Sequence, residues 1–335
     1  MKNLETDVLI IGAGPVGLFS VFELGQLGMK SHLVDTLGEI GGQCSALYPE
    51  KPIYDIPAYP EITAEDLIKK LKKQIEPFKP SFTLGQKVTK LEKNNDFFSI
   101  KTNDETINAQ CIIIAAGSGA FGPNKPPIQN IEEFEDKSVF YSIKDKSIFG
   151  KKTVVIAGGG DSAVDWAIEL SRITKKIYFV HRRNKLRAAP NNVKKLEALT
   201  KIGKVEMIIP YQIDSIKGKD GSIKNVIVRD MDNNIKELEA DFFLPFFGLS
   251  SDLGPIKDWE LEIKNNNLLI DQATCQTSIK GIFAIGDVCS YDGKLKLILT
   301  GFSEAAIAAH SCREIVFPNT KLHFEYSTSK GINQL

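Results

Sequence analysis

Two glycine-rich turns, each set between an apolar β-run and a helical pattern, constrain this chain more than any other feature. Gly12-Ala13-Gly14-Pro15-Val16-Gly17 follows the apolar run 8–11 and opens a helical pattern over 15–27, closed by Gly28. Gly158-Gly159-Gly160-Asp161-Ser162-Ala163 starts 146 positions after Gly12, between the run 153–157 and a helical pattern over 161–172. In each turn the first glycine suits a tight bend and the middle one lets backbone approach a pyrophosphate. The last position, Gly17 or Ala163, lets helix and strand approach closely. The N–H groups at the helix start then face the phosphates. Runs 31–34 and 177–180 complete two βαβ units. The pattern predicts an α/β chain of two Rossmann-like, three-layer nucleotide-binding domains.

The residues after each unit differ in charge. Asp35 ends the second strand of the first unit, where a carboxylate can accept hydrogen bonds from a ribose diol. The same register in the second unit falls on His181, followed by Arg182 and Arg183, with Arg187 four residues further on. An acid repels a 2′-phosphate, whereas guanidinium groups bind one through paired, charge-assisted hydrogen bonds. The second unit is therefore expected to take NADPH through Gly158, Gly160, Asp161, Ser162, His181, Arg182, Arg183 and Arg187. The first is expected to take a dinucleotide without a 2′-phosphate. Near the end, the stretch 277–287 closes an apolar strand with Gly286-Asp287, where Asp287 can accept from a ribityl hydroxyl. Together with the first turn it points to FAD.

Between these landmarks, Thr63-Ala64-Glu65-Asp66 has the spacing of a helix N-cap, predicting a helix to about residue 75. Short alternating runs from 81 to 114 predict a β-meander followed by a buried strand over 111–115. Further strands are expected at 205–209, 223–229 and 242–247, and a last helix over about 300–316.

Composition removes other classes. The chain has 335 residues, enough for two domains at about 100–200 residues each. Lys plus Arg and Asp plus Glu are 42 each, so no net positive field favours nucleic acid. No apolar run approaches the roughly 20 residues of a membrane span, and the start lacks a secretory pattern. The five cysteines are odd in number and scattered, the usage of a reducing, cytoplasmic compartment. His32, His310 and His323 show no metal spacing, so no metal is expected.

These strings together resemble the flavoproteins with two dinucleotide-binding domains. Within them the chain is most similar to ferredoxin–NADP reductases of the thioredoxin-reductase-like type. The resemblance spans essentially the whole chain. It is carried by the two glycine turns, Gly41-Gly42-Gln43, Leu47-Tyr48-Pro49-Glu50-Lys51, the stretch 158–166, His181-Arg182-Arg183 and Tyr326-Ser327-Thr328-Ser329. It implies an NADPH domain, 118–247, inserted into a discontinuous FAD domain, 1–117 and 248–335. It implies Gly12, Gly14, Gly17, Asp35, Gln43, Tyr48, Val88, Phe121, Asp287, Tyr326 and Thr328 at FAD, with Tyr48 stacked on the isoalloxazine and Val88 on the strand beside adenine. Tyr326 departs from members with His or Phe there, and a flat ring is kept.

Two relay motifs are missing. The place of a redox C-x-x-C before the second glycine turn holds Tyr141-Ser142-Ile143-Lys144, and the position five after Cys44 is Pro49. Without a dithiol relay, electrons are expected to pass by hydride transfer from NADPH to flavin N5, then singly to ferredoxin or flavodoxin. No acid–base catalytic residue is required. The resemblance also implies a homodimer. Two alternatives stay open: another NADPH-dependent flavin reductase acting on a quinone, flavodoxin or small disulfide, and a non-catalytic NADPH-sensing flavoprotein.

Overall fold

The structure, a computed structural model, describes residues 2–94, 97–320 and 331. It divides into two compact units, one of 1–121 with 251–335 and one of 122–250.

The first unit is built on a seven-stranded sheet. The strand Lys2–Ile11 lies centrally, paired in parallel with Ser31–Asp35 on one side and Glu105–Ile114 on the other. Val8 to Ile10 are fully buried, as a parallel strand covered on both faces requires. Helix Pro15–Gln26 starts at once, with proline in its first turn, where a missing N–H costs nothing. Helix Ala64–Ile75 is capped by Thr63, whose hydroxyl accepts from Asp66 N at 3.1 Å. Its inner face, Leu67, Ile68, Leu71 and Ile75, joins the core under the sheet.

The meander is smaller than the sequence pattern predicts. Lys90–Lys93, Phe98–Lys101 and Glu105–Ile114 form it, antiparallel. Ser81–Leu84 instead extends the far edge, parallel to Ser31–Asp35. The buried run near 111 is the end of the ten-residue strand Glu105–Ile114. That strand has two partners on one side: its first half pairs with Phe98–Lys101 and its last residues with Ile282–Ala284, in parallel. Helix Ile298–Val316 follows and contributes Ala305, Ala308, Ala309 and Cys312 to the core.

The second unit has a four-stranded parallel sheet in the order Val205–Ile208, Lys176–Val180, Thr153–Ala157, Phe242–Pro245. A three-stranded antiparallel sheet of Gln212–Lys219, Ser222–Arg229 and Ile235–Glu239 accompanies it. Helices Asp161–Leu170 and Pro190–Lys201 complete the unit. Trp166 is buried on the inner face of its helix.

Candidate functional site

The first glycine turn shows which of its glycines serve the fold. Gly12 has φ +112°, and a Cβ there would overlap the Ala115 carbonyl. A Cβ on Gly17 would overlap the Gly12 carbonyl. Gly14 differs: its nearest neighbour would be Gly42 Cα at 3.9 Å, an ordinary contact. No neighbour among the described residues requires glycine at that position, so its bareness suits a molecule entering from outside.

Gly14 faces a cavity of about 250 Å³ lined by the first unit and open to one side. Gly12, Asp35, Gln43 and Tyr48 line it as well, with Val88 and Asp287 further along the wall. Gly17 lies behind the wall and acts in helix–strand contact. Asp35 is tied to the turn, its Oδ2 accepting from Ala13 N at 2.7 Å and its Oδ1 from Leu37 N at 2.9 Å. Burial raises the Asp35 pKa above the ordinary carboxylate value, and the main-chain donors of Leu37, Ala13 and Thr36 pull it back. Gln43 opens the single helical turn Gln43–Ala46. Tyr48 is half-buried, and its phenol oxygen accepts from Cys44 Sγ at 3.7 Å. Burial raises the Tyr48 pKa far above its usual value, with Cys44 and Asp287 adding to it. The ring therefore stays neutral, a flat apolar surface with a polar edge.

Val88 is buried on the cavity wall but not within a strand. It lies in the connection between Ser81–Leu84 and Lys90–Lys93, because the edge strand ends at Gly85, φ +72°. Phe121 is on the strand Ala120–Pro123, its side chain outside the described residues. Tyr326 and Thr328 also lie outside the described residues. Sequence reasoning missed Lys87 and Lys296, two basic residues of the wall. Their only signal is position, since isolated lysines in polar loops look like solvated surface.

The second unit repeats the same logic. A Cβ on Gly158 would lie 2.6 Å from the Phe246 carbonyl, so glycine is forced there, whereas among the described residues nothing lies within 4 Å of a Cβ on Gly160. Gly160 caps helix Asp161–Leu170, with Asp161 and Ser162 exposed in its first turn. The Asp161 carboxylate accepts from Ala189 N at 2.8 Å and thereby holds the start of the next helix.

His181 is turned inward beneath the glycine turn. Its ring lies against Gly159, where a Cβ would overlap it, and it is 7% exposed. Burial lowers its pKa, and Arg187, Arg183 and Arg182 lower it further. The ring packs beneath the loop, directly under Gly159. Arg182, Arg183 and Arg187 are exposed, and none pairs with a carboxylate among the described residues. Arg187 N also donates to the Gly159 carbonyl at 2.7 Å, which fixes its chain beside the glycine turn.

All five cysteines are buried free thiols. Burial raises Cys44 to about 11 and Cys275 and Cys289 to about 12. Among the described residues, no helix is long and apolar enough to cross a membrane.

A Rossmann-like sheet, a glycine turn with open space at its middle residue and a cavity beside it define a dinucleotide-binding oxidoreductase class. The family model for pyridine nucleotide-disulphide oxidoreductases matches residues 6–309. The ferredoxin–NADP reductase of Rickettsia akari is 57% identical over 327 residues, 97% of this chain and 98% of its own. That of Rickettsia bellii is 56% identical over 327 residues, 97% of this chain and 98% of its own. The thioredoxin reductase of Lactococcus lactis shares the fold with a TM-score of 0.79 at 28% identity, covering 93% of this chain and 99% of that one. The chain belongs to the ferredoxin–NADP reductases within the pyridine nucleotide-disulphide oxidoreductase family.

Proposed function

We propose that the chain is an FAD-dependent ferredoxin–NADP reductase, moving electrons between NADPH and ferredoxin. The observation that carries this is the pair of open glycine turns with opposite charge behind them, Asp35 in one and exposed Arg182, Arg183 and Arg187 in the other. The first unit holds FAD, with its pyrophosphate over Gly14, its adenosine ribose at Asp35 and its ribityl chain at Asp287. The second holds NADPH, its pyrophosphate over Gly160 and its 2′-phosphate at the arginines. A bound flavin supplies the exchange between a two-electron donor and a one-electron acceptor. The chain's own residues bind, orient and shield: Tyr48 offers a neutral ring, and Gln43 a polar amide beside it. Buried thiols with raised pKa values suit no dithiol relay, which favours ferredoxin over a disulfide acceptor.

We further assign the protein to the cytoplasm as a homodimer. The unpaired thiols support the compartment, and sedimentation of the purified yellow protein tests the dimer. NADPH oxidation measured with and without an acidic ferredoxin tests the activity. Strong stimulation by ferredoxin is expected. Equal turnover without it, with a quinone as acceptor, favours the general flavin reductase, and no turnover even with ferricyanide favours the sensor.

A further inference from the structure

One buried polar cluster of the first unit has no part in the scheme above. Glu304, on helix Ile298–Val316, is 3% exposed. Its Oε2 accepts from Gly286 N at 2.7 Å and from Cys289 Sγ at 3.7 Å. Its Oε1 accepts from the Tyr291 hydroxyl at 2.7 Å and from Lys294 Nζ. The ion-paired side chains of Lys294 and Glu304 are 5% and 4% exposed. The Glu304 carbonyl also accepts from Cys275 Sγ at 3.7 Å.

Such a pair is an expensive way to stabilise a core. Taking both charges out of water costs more than an apolar pair of similar volume would. Here every oxygen is used, and one main-chain donor is singled out. Gly286 has φ +75° and begins the short turn Gly286–Val288. Gly286 and Asp287 both line the cavity. The Asp287 charge also acts on the Tyr48 phenol, so the turn stands near that ring. The carboxylate thus grips from behind the same turn whose front faces the cavity, and the ammonium keeps the site near neutral.

We propose that Glu304 and Lys294 are positioning residues for the flavin, Glu304 fixing the Gly286–Val288 turn and Lys294 balancing its charge beside the cavity. The proposal rests on the reading of that cavity as the FAD site.

Three readouts test it: hydrogen–deuterium exchange at Gly286 in the apoprotein, the FAD dissociation constant and the reduction potential of the bound flavin. Glu304→Gln should speed Gly286 exchange at least tenfold and weaken FAD at least tenfold. It should raise the potential, because an unmatched positive charge favours the reduced flavin. Lys294→Met should lower the potential, because the unmatched charge is now negative. The double variant E304M/K294M, which leaves no side-chain acceptor for the Gly286 N–H, should return the potential to the parent value while Gly286 exchange stays fast and FAD binding stays weak. If neither single variant folds, the double variant decides, since it buries no lone charge.

Unchanged Gly286 exchange in the folded E304M/K294M variant, where no side-chain oxygen remains at residue 304, overturns the positioning role. Potentials moving in the same direction in both single variants overturn the charge-balancing role, as does a double variant with parental FAD affinity for the pair as a whole. A parent protein that takes up no flavin overturns the flavin reading and this role toward flavin together, a failure distinct from unchanged exchange.

Discussion

Asp35 reaches back from the end of its strand to take the N–H of Ala13 at 2.7 Å. One carboxylate thereby joins the glycine turn to the position where a ribose is expected. Each oxygen retains a lone pair, so the group can serve both the turn and a ligand. Replacing it with Asn turns one acceptor into a donor that faces another donor. Hydrogen bonds to charged groups are worth about 1.5–3 kcal/mol, so Asp35→Asn should weaken FAD about tenfold or more. Titrating the apoprotein with FAD and following flavin fluorescence checks this, and parental affinity would remove Asp35 from the ribose.

The glycines of the first turn should separate binding from folding. Gly14→Val adds a side chain to open cavity space, so the protein should fold and purify colourless. Gly17→Ala sets a methyl against the Gly12 carbonyl, and overpacking of this kind costs about 1–3 kcal/mol. It should lower the melting temperature of the apoprotein, which Gly14→Val should leave nearly unchanged. A yellow Gly14→Val protein would move the pyrophosphate elsewhere.

Coenzyme choice should reside in the exposed arginines. Removing Arg182 and Arg183 deletes contacts worth about 1.5–3 kcal/mol each before non-additivity. KM for NADPH should rise by two orders of magnitude or more, while that for NADH changes little. Equal weakening of both would show that the arginines do not recognise the 2′-phosphate.

The thiols should be chemically silent at neutral pH. With Cys44 near 11 and Cys275 and Cys289 near 12, iodoacetamide should label the folded protein slowly at pH 8 and all five sites after denaturation. Stability is kept below pH 9, where unfolded thiols are protonated, and falls as pH rises from 9 toward 12. Replacing all five should leave ferredoxin reduction largely intact if the fold tolerates it. Loss of turnover in Cys44→Ser with flavin retained would instead reveal a thiol relay.

Ferredoxin docking is expected to use local positive charge, with Lys69, Lys70, Lys72 and Lys73 of helix Ala64–Ile75 as candidates. Lys69 is already paired with Glu65 at 2.8 Å, and the Lys70 ammonium lies over the Tyr59 ring at 5.4 Å. Lys72 and Lys73 are exposed without an ion pair among the described residues, so they carry the prediction. Reversing both to Glu should raise the ferredoxin KM severalfold at low salt. The difference should shrink at high salt, since exposed charges are screened beyond about 10 Å at 0.1 M. A KM independent of salt in both proteins would remove electrostatic docking.

What the sequence made legible is the local part of the fold. Glycine chemistry marks both turns, Thr63 marks a helix start, and unbroken apolar runs mark the buried strands. Partner choice is not local, so the pairing of Ser81–Leu84 with Ser31–Asp35 could not be seen. Helix Pro190–Lys201 escaped although Val193, Leu196 and Leu199 recur at helical spacing, because this short stripe is weak amid lysines and asparagines, and only Leu196 is buried. Counting register placed His181 among the phosphate-facing residues, but a strand end has two sides, and its ring turned under Gly159. Glu304 stands among alanines and looks like a solvated helix charge until the Gly286 turn is brought against it.

The split partnership of Glu105–Ile114 has a consequence for synthesis. Ile112 pairs with Ile282, so a growing chain must hold this edge open while the whole of 122–250 emerges. Those residues already contain every strand of their own parallel sheet. The inserted unit can therefore finish first on the ribosome, while the surrounding unit closes only after its last strand and final helix arrive. Long-range closure of this kind is slow and leaves apolar edges uncovered meanwhile. A nascent chain stalled before Ile282 should protect 122–250 from protease and leave the first 121 residues cleavable.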